Sequence, residues 1–182
     1  MVRRARTLAK HTFPTDWTPA EIRDWSEVWQ RVRAARAQGQ RIVFASGVFD
    51  LFHSEHQHFL ERARAAGDYL VVGLESDWRV RQLKGPGRPV EAQAQRREKV
   101  LASGVVDDAA ILPEQFDQPA HHRALIGLLQ PTVLAVSSHS PRQEEKRRIV
   151  EEFGGRLAVV LEHNRAVSTT SALGQGTMKR PA

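Results

Sequence analysis

Two histidines three residues apart, His53 and His56, stand in the run Gly47-Val48-Phe49-Asp50-Leu51-Phe52-His53-Ser54-Glu55-His56. An apolar run over residues 41–46 precedes them and reads as a buried strand. Residues 57–66 follow, with Phe59, Leu60, Ala63 and Ala66 at helical spacing. The pair therefore falls where a strand ends and a helix begins, which is where open α/β sheets bind ligands. A helix N-terminus offers free N–H groups and a positive dipole end, and both favour phosphate. Two imidazoles there add donors for phosphate oxygens. The pattern points to a nucleotide site for phosphoryl chemistry. A metal site would need a third ligand, and none of the usual kind stands nearby in sequence; Glu55 does not complete an H-E-x-x-H motif. On the histidines alone, a helix cap beside a solvated ring explains the spacing as well as phosphate does. Gly47, Asp50 and the strand-to-helix context favour phosphate.

Three further features fall where a phosphate site would want them. Ser76-Asp77 follows the second apolar run, on the same sheet edge as His53. Residues 83–89, Leu-Lys-Gly-Pro-Gly-Arg-Pro, read as a rigid basic loop. From it Lys84 could reach a phosphate as a point charge, and Arg88 or Arg96 could hold one bidentately. Taken alone, the loop is equally a surface turn with solvated charges. Ser168-Thr169-Thr170 is a hydroxyl run after the last apolar segment. Such a run usually caps a helix, and beside a nucleotide the same groups bind terminal phosphates.

These residues need a frame. Thr18-Pro19-Ala20-Glu21 has the form of a capping box with Pro at the first helical position. Ile22, Trp25, Val28, Trp29, Val32 and Ala35 follow at helical spacing, and Gly39 stops the helix. Trp25 and Trp29 read as anchors of its buried face. Further apolar runs lie at residues 69–74, 105–112, 132–136 and 157–161, with helical patterns at 91–103, 117–129 and 141–153. Strands alternating with helices predict one α/β Rossmann-like domain, a five-stranded parallel sheet with helices on both faces. The domain is expected over residues 18–175, with a basic flexible arm at 1–17 and a disordered tail at 176–182. The 182 residues include no cysteine, which excludes disulfides, thiolate metal sites and a cysteine nucleophile. No apolar run approaches membrane-spanning length, so no membrane partner is expected. The basic start lacks the apolar stretch of a secretory signal, which with the missing cysteines predicts a cytoplasmic protein. The net charge of +6 suits an anionic ligand. The chain lacks basic helices interleaved with aromatic platforms, so only loose, non-specific nucleic-acid binding is expected.

Together these segments resemble the cytidylyltransferase-like nucleotidyltransferases, whose signature is G-x-F-D-x-x-H-x-G-H with an S/T-rich motif near the C-terminus. The likeness is greatest to the branch of D-glycero-β-D-manno-heptose 1-phosphate adenylyltransferases. It runs from about residue 18 to 173, through Gly47 to His56, Ser76-Asp77, Leu83 to Val90, Gln95-Arg96, Gly154-Gly155 and Ser168 to Thr170. The resemblance implies attack of a sugar phosphate on the α-phosphorus of a nucleoside triphosphate, ATP or CTP, with Mg²⁺ and release of pyrophosphate. It implies catalytic roles for His53, His56 and Lys84. Gly47, Val48, Phe49, Arg96, Ser168, Thr169 and Thr170 would hold the nucleotide. Asp50, Asp77 and Arg88 would face the phosphorylated acceptor. Relatives often form dimers, so a homodimer is a further expectation. The chain departs from the pattern at five places: Ser46 replaces the asparagine before Gly47, Val48 replaces a cysteine, and three further changes follow. Glu55 replaces the glycine between the histidines, Glu75 replaces the asparagine of Asn-Ser-Asp, and Val136-Ser137-Ser138-His139-Ser140 replaces Lys-Gly-Gly-Asp-Tyr. These changes pose an alternative: a nucleotide-binding, regulatory protein that has lost catalysis on the same fold.

Overall fold

The computed structural model describes residue 14 and residues 16–161. The hydroxyl run Ser168 to Thr170, most of the basic arm and the tail lie outside the described residues. Five strands form one parallel sheet in the order β3-β2-β1-β4-β5. They are β1 (Ile42–Gly47), β2 (Tyr69–Leu74), β3 (Asp108–Ile111), β4 (Val133–Ser137) and β5 (Arg156–Leu161). The helices are α1 (Pro19–Ala37), α2 (Ser54–Ala65), α3 (Asp77–Lys84), α4 (Gln93–Leu101), α5 (Pro119–Leu129) and α6 (Gln143–Glu152). The chain runs outward from β1 through β2 to β3, then returns to the other side of β1 for β4 and β5. The strand order therefore reverses between β1 and β4, which is the ligand-binding switch point of such sheets.

The alternation that defines each strand sorts two cores. Ile42 and Phe44 of β1, Leu134 and Val136 of β4 face Trp25, Val28 and Val32 of α1, Leu125 and Ile126 of α5, and Ile149 and Val150 of α6. Val43 and Ala45, Leu70 and Val72, Val133 and Ala135 face Phe59, Leu60 and Ala63 of α2 and Val100 of α4. Both faces are covered, so the strands read as near-continuous apolar runs. Helix α1 starts as its sequence dictates: the Thr18 hydroxyl accepts from the Glu21 N–H at 3.3 Å, and Glu21 Oε2 accepts from the Thr18 N–H at 2.6 Å. Trp25 is fully buried and its Nε1 donates to the Ile111 carbonyl at 2.9 Å. Trp29 is half-buried, with the Arg33 guanidinium 4.8 Å from its ring centre.

Two expectations need correction. Trp17, placed at the end of a flexible arm, is buried in the core with its ring against His121. Residues 77–84 form α3, where the sequence reading assigned no helix and began a rigid basic loop at residue 83. Ser76 caps this helix through a 3.1 Å bond from the Arg79 N–H, and Val80 is its sole fully buried residue. One apolar anchor in eight residues leaves no periodicity to detect.

Candidate active site

The C-terminal ends of β1 and β4, the start of α2 and the end of α3 enclose a cleft of about 580 Å³. Of the residues singled out from the sequence, Gly47, Val48, Phe49, Asp50, His53, His56 and Lys84 all line it. Ser137, His139 and Ser140 of the loop after β4 form the opposite wall.

The β1–α2 loop is held in an unusual shape. Phe49 and Leu51 have φ of +53° and +50°, a left-handed conformation that costs non-glycine residues of order 1–3 kcal/mol each. Its surroundings enforce it. The Phe49 ring is buried between His56, at 5.3 Å, and Phe59, at 6.3 Å between ring centres. Gly47 leaves room for that ring: a Cβ there would lie 2.9 Å from Phe49 Cε2. Asp50, 1% exposed, accepts from the N–H groups of Val90 and Glu91 at 3.0–3.1 Å and pairs with Arg88 at 2.8 Å. Burial pushes its carboxyl up, but the Glu91 and Val90 N–H bonds and the Arg88 charge outweigh this and lower it.

This loop sets up the histidines. His53 is the N-cap residue of α2, extended at φ −137°, and its side chain makes no capping bond. The first-turn N–H groups are thus left without a side-chain partner. The two imidazoles stack 3.9 Å apart at 20°. Both Nδ1 atoms are buried without a hydrogen-bond partner. Burial, then the neighbouring His53 and Lys84, push His56 down to about 3. Burial and Lys84 also lower His53, against Glu55. Both rings are therefore neutral near pH 7, each with one N–H to donate. Lys84, the last residue of α3, has its ammonium lowered by burial and by Arg88. A polyanion in the cleft would reverse these shifts, since an opposite charge favours the protonated forms.

A family model described as cytidylyltransferase-like matches residues 44–171, well over half of the chain. The chain belongs to the cytidylyltransferase-like family. It is 39% identical over 151 residues to the bifunctional protein HldE of Geotalea uraniireducens, covering 82% of this chain and 29% of that protein. It is 39% identical over 168 residues to HldE of Nitrobacter winogradskyi, covering 90% and 33%. The chain thus spans about a third of the length of these curated relatives. In fold it is similar to the crystal structure of the lipopolysaccharide core biosynthesis protein of Thermoplasma volcanium. That likeness has a TM-score of 0.53 at 24% identity, over 69% of this chain and 98% of that one.

Within this cytidylyltransferase-like frame, three residues expected at ligands do not line the cleft. Arg96, expected to hold nucleotide phosphate, is fully buried. It donates to the carbonyls of Val48, Glu75 (2.7 Å) and Glu91 (3.1 Å), and to Asp77 Oδ1 at 2.9 Å. Asp77, expected at the acceptor, is therefore the partner of Arg96, and Arg88 is the partner of Asp50. Asp50 does line the cleft, yet its carboxylate is engaged by Val90, Glu91 and Arg88. These charges hold the three loops together around the cleft. A guanidinium can satisfy several carbonyls at once, and a chain that brings loop carbonyls together gives it those partners in place of a phosphate.

The departures from the family pattern also take shape. Glu55 lines the cleft, with its Oε1 4.0 Å from His58 Nδ1 on the outer side of α2. The loop after β4 is organised by α6. Gln143 Nε2 donates to the Ser138 carbonyl at 2.9 Å, and Lys146 Nζ donates to Ser140 Oγ at 2.7 Å. Lys146 reaches the cleft from α6, and sequence reasoning missed it, as it missed Glu75. Only the unusual Glu in place of asparagine marked position 75 beforehand. Among the described residues no group of three His, Asp or Glu side chains could hold a metal ion, and no helix is long and apolar enough to cross a membrane.

Proposed function

We propose that the protein is a nucleotidyltransferase that moves a nucleoside monophosphate, AMP from ATP by resemblance, onto a phosphorylated sugar or polyol. The observation that carries this reading is the stacked His53–His56 pair, free of protein hydrogen bonds, at an uncapped helix start in a cleft that also holds Lys84. The acceptor's phosphate oxygen attacks the α-phosphorus. The bond from that phosphorus to the bridging oxygen breaks, and pyrophosphate leaves with the electron pair. In-line transfer of this kind needs positioning and charge stabilisation more than a covalent nucleophile. His53 and His56 donate to the triphosphate as negative charge grows on the leaving group, and Lys84 neutralises the meeting phosphates. Mg²⁺ enters with the triphosphate as part of the substrate.

Calorimetric titration with ATP and with CTP, each with Mg²⁺, tests the donor without knowledge of the acceptor. Micromolar binding of one nucleotide, then pyrophosphate release on adding sugar phosphates, is the expected result. Replacing His53 or His56 by Ala should lower turnover by about 10²–10³-fold, as loss of a transition-state donor does. A folded protein that binds neither nucleotide, or variants with unchanged turnover, would overturn the reading.

A further inference from the structure

A charged recess beside the cleft takes no part in the proposed chemistry. It adjoins the cleft, shares Ser46, Glu75 and Lys146 with it, and has a volume of about 110 Å³. Glu75 follows β2 directly. Its backbone is pinned by the N–H bond to the Gly47 carbonyl, at 3.0 Å, and by Arg96 on its own carbonyl. Its Oε2 is buried and has no hydrogen-bond partner. Arg79 contributes a buried Nε that is likewise unpartnered, while its Nη2 pairs with Asp117 at 3.1 Å. Lys146 brings an ammonium, and His122, 6% exposed against Phe116, brings a ring that burial holds neutral.

The charges of the recess decide what it suits. Arg79, Arg142 and Lys146 are matched by Glu75, Asp117 and Glu145. A second phosphate would find no excess positive charge here. Neutral hydroxyl groups would find what they need, a carboxylate that accepts from two O–H groups and cationic donors for the hydroxyl oxygens. The buried, unpartnered Oε2 is costly to leave unfilled, and a hydroxyl of the acceptor relieves that cost. We propose that this recess reads the hydroxyl groups of the acceptor, with Glu75 as their hydrogen-bond acceptor and Lys146 as a donor, while the acceptor's phosphate sits in the cleft by Lys84. Glu75 is then a specificity-determining residue. The asparagine of the resembled pattern presents one oxygen and an amide donor, whereas Glu75 presents two oxygens and no donor. It therefore selects for hydroxyl hydrogens and against groups that only accept.

This inference rests on the proposed nucleotidyl transfer, and its test separates the two. Wild type, Glu75→Gln and Glu75→Ala would be titrated with α-D-mannose 1-phosphate and with ethyl phosphate, which has no hydroxyl group on its carbon chain. Each titration would run with and without a non-hydrolysable ATP analogue, whose own binding is measured separately. Urea midpoints would confirm that the variants fold. The wild type should prefer the sugar phosphate by at least about tenfold, and both variants should lose most of that preference. Affinity for ethyl phosphate and for the ATP analogue should not fall in either variant, since each loses a negative charge beside the cleft. A wild type without the preference, or variants that keep it, would overturn the role of Glu75. Loss of the analogue's binding in the wild type would instead overturn the nucleotide reading.

Discussion

Replacing Arg96 by Met should unfold the loops around the cleft before it touches chemistry. The guanidinium is fully buried and serves three carbonyls, of Val48, Glu75 and Glu91, plus Asp77 Oδ1. Methionine keeps much of the stem and removes every donor. A buried carbonyl left without a partner costs about 1–3 kcal/mol. The Asp77 side chain is 27% exposed, so water replaces part of its lost pairing. Some carbonyls will also find water, and the total comes to about 3–5 kcal/mol, in the range for breaking a buried pair. With a urea dependence of about 2 kcal/mol per molar, the midpoint should fall by about 2 M. Urea unfolding followed by tryptophan fluorescence measures it, since Trp25 is fully buried. Arg96→Lys should recover less than half, because an ammonium cannot span the same acceptors. A phosphate ligand would behave in the opposite way. If Arg96→Met is as stable as wild type and loses only nucleotide affinity, the structural role assigned to Arg96 is wrong.

Two further outcomes follow from the electrostatics of the cleft. The folded-state values of His56 and His122, about 3 and about 4, lie below the unfolded value of about 6.5. Between those limits the unfolded chain binds more protons, so stability falls as pH falls. At pH 5 the loss should be roughly 1–2 kcal/mol per histidine after solvent screening, and His56→Asn and His122→Asn should flatten the urea midpoint between pH 7 and 5. An unchanged slope in the double variant would sink the assignment. Glu55→Gln removes a negative charge from the cleft wall and should tighten ATP binding about three- to tenfold at low salt, an effect that shrinks as ionic strength rises. Equal affinities at low salt would mean that the carboxylate, turned toward His58, lies outside the field of the triphosphate.

Much of this protein was legible from the chain alone. The apolar runs and their spacing determined the strands, most of the helices and the parallel architecture, because side-chain periodicity and helix capping are short-range effects. The capping box at Thr18 and Glu21 formed as written. His53 and His56 sat where a strand hands over to a helix, and the switch-point rule pointed to that junction, where the structure has its cleft. What the chain could not disclose was how its charged side chains pair. Arg96, Asp77, Arg88 and Asp50 have the residue types of phosphate and acceptor ligands, yet the fold brings loop carbonyls and N–H groups to them first. Helix α3 carries a single buried anchor and escaped detection for want of a pattern. The recess joins Glu75 after β2 to His122 on α5 and Lys146 on α6, residues 47 and 71 positions or so apart from Glu75. A hydrogen-bonding group takes the partner nearest in space, and only the closing of the sheet decides which partner that is.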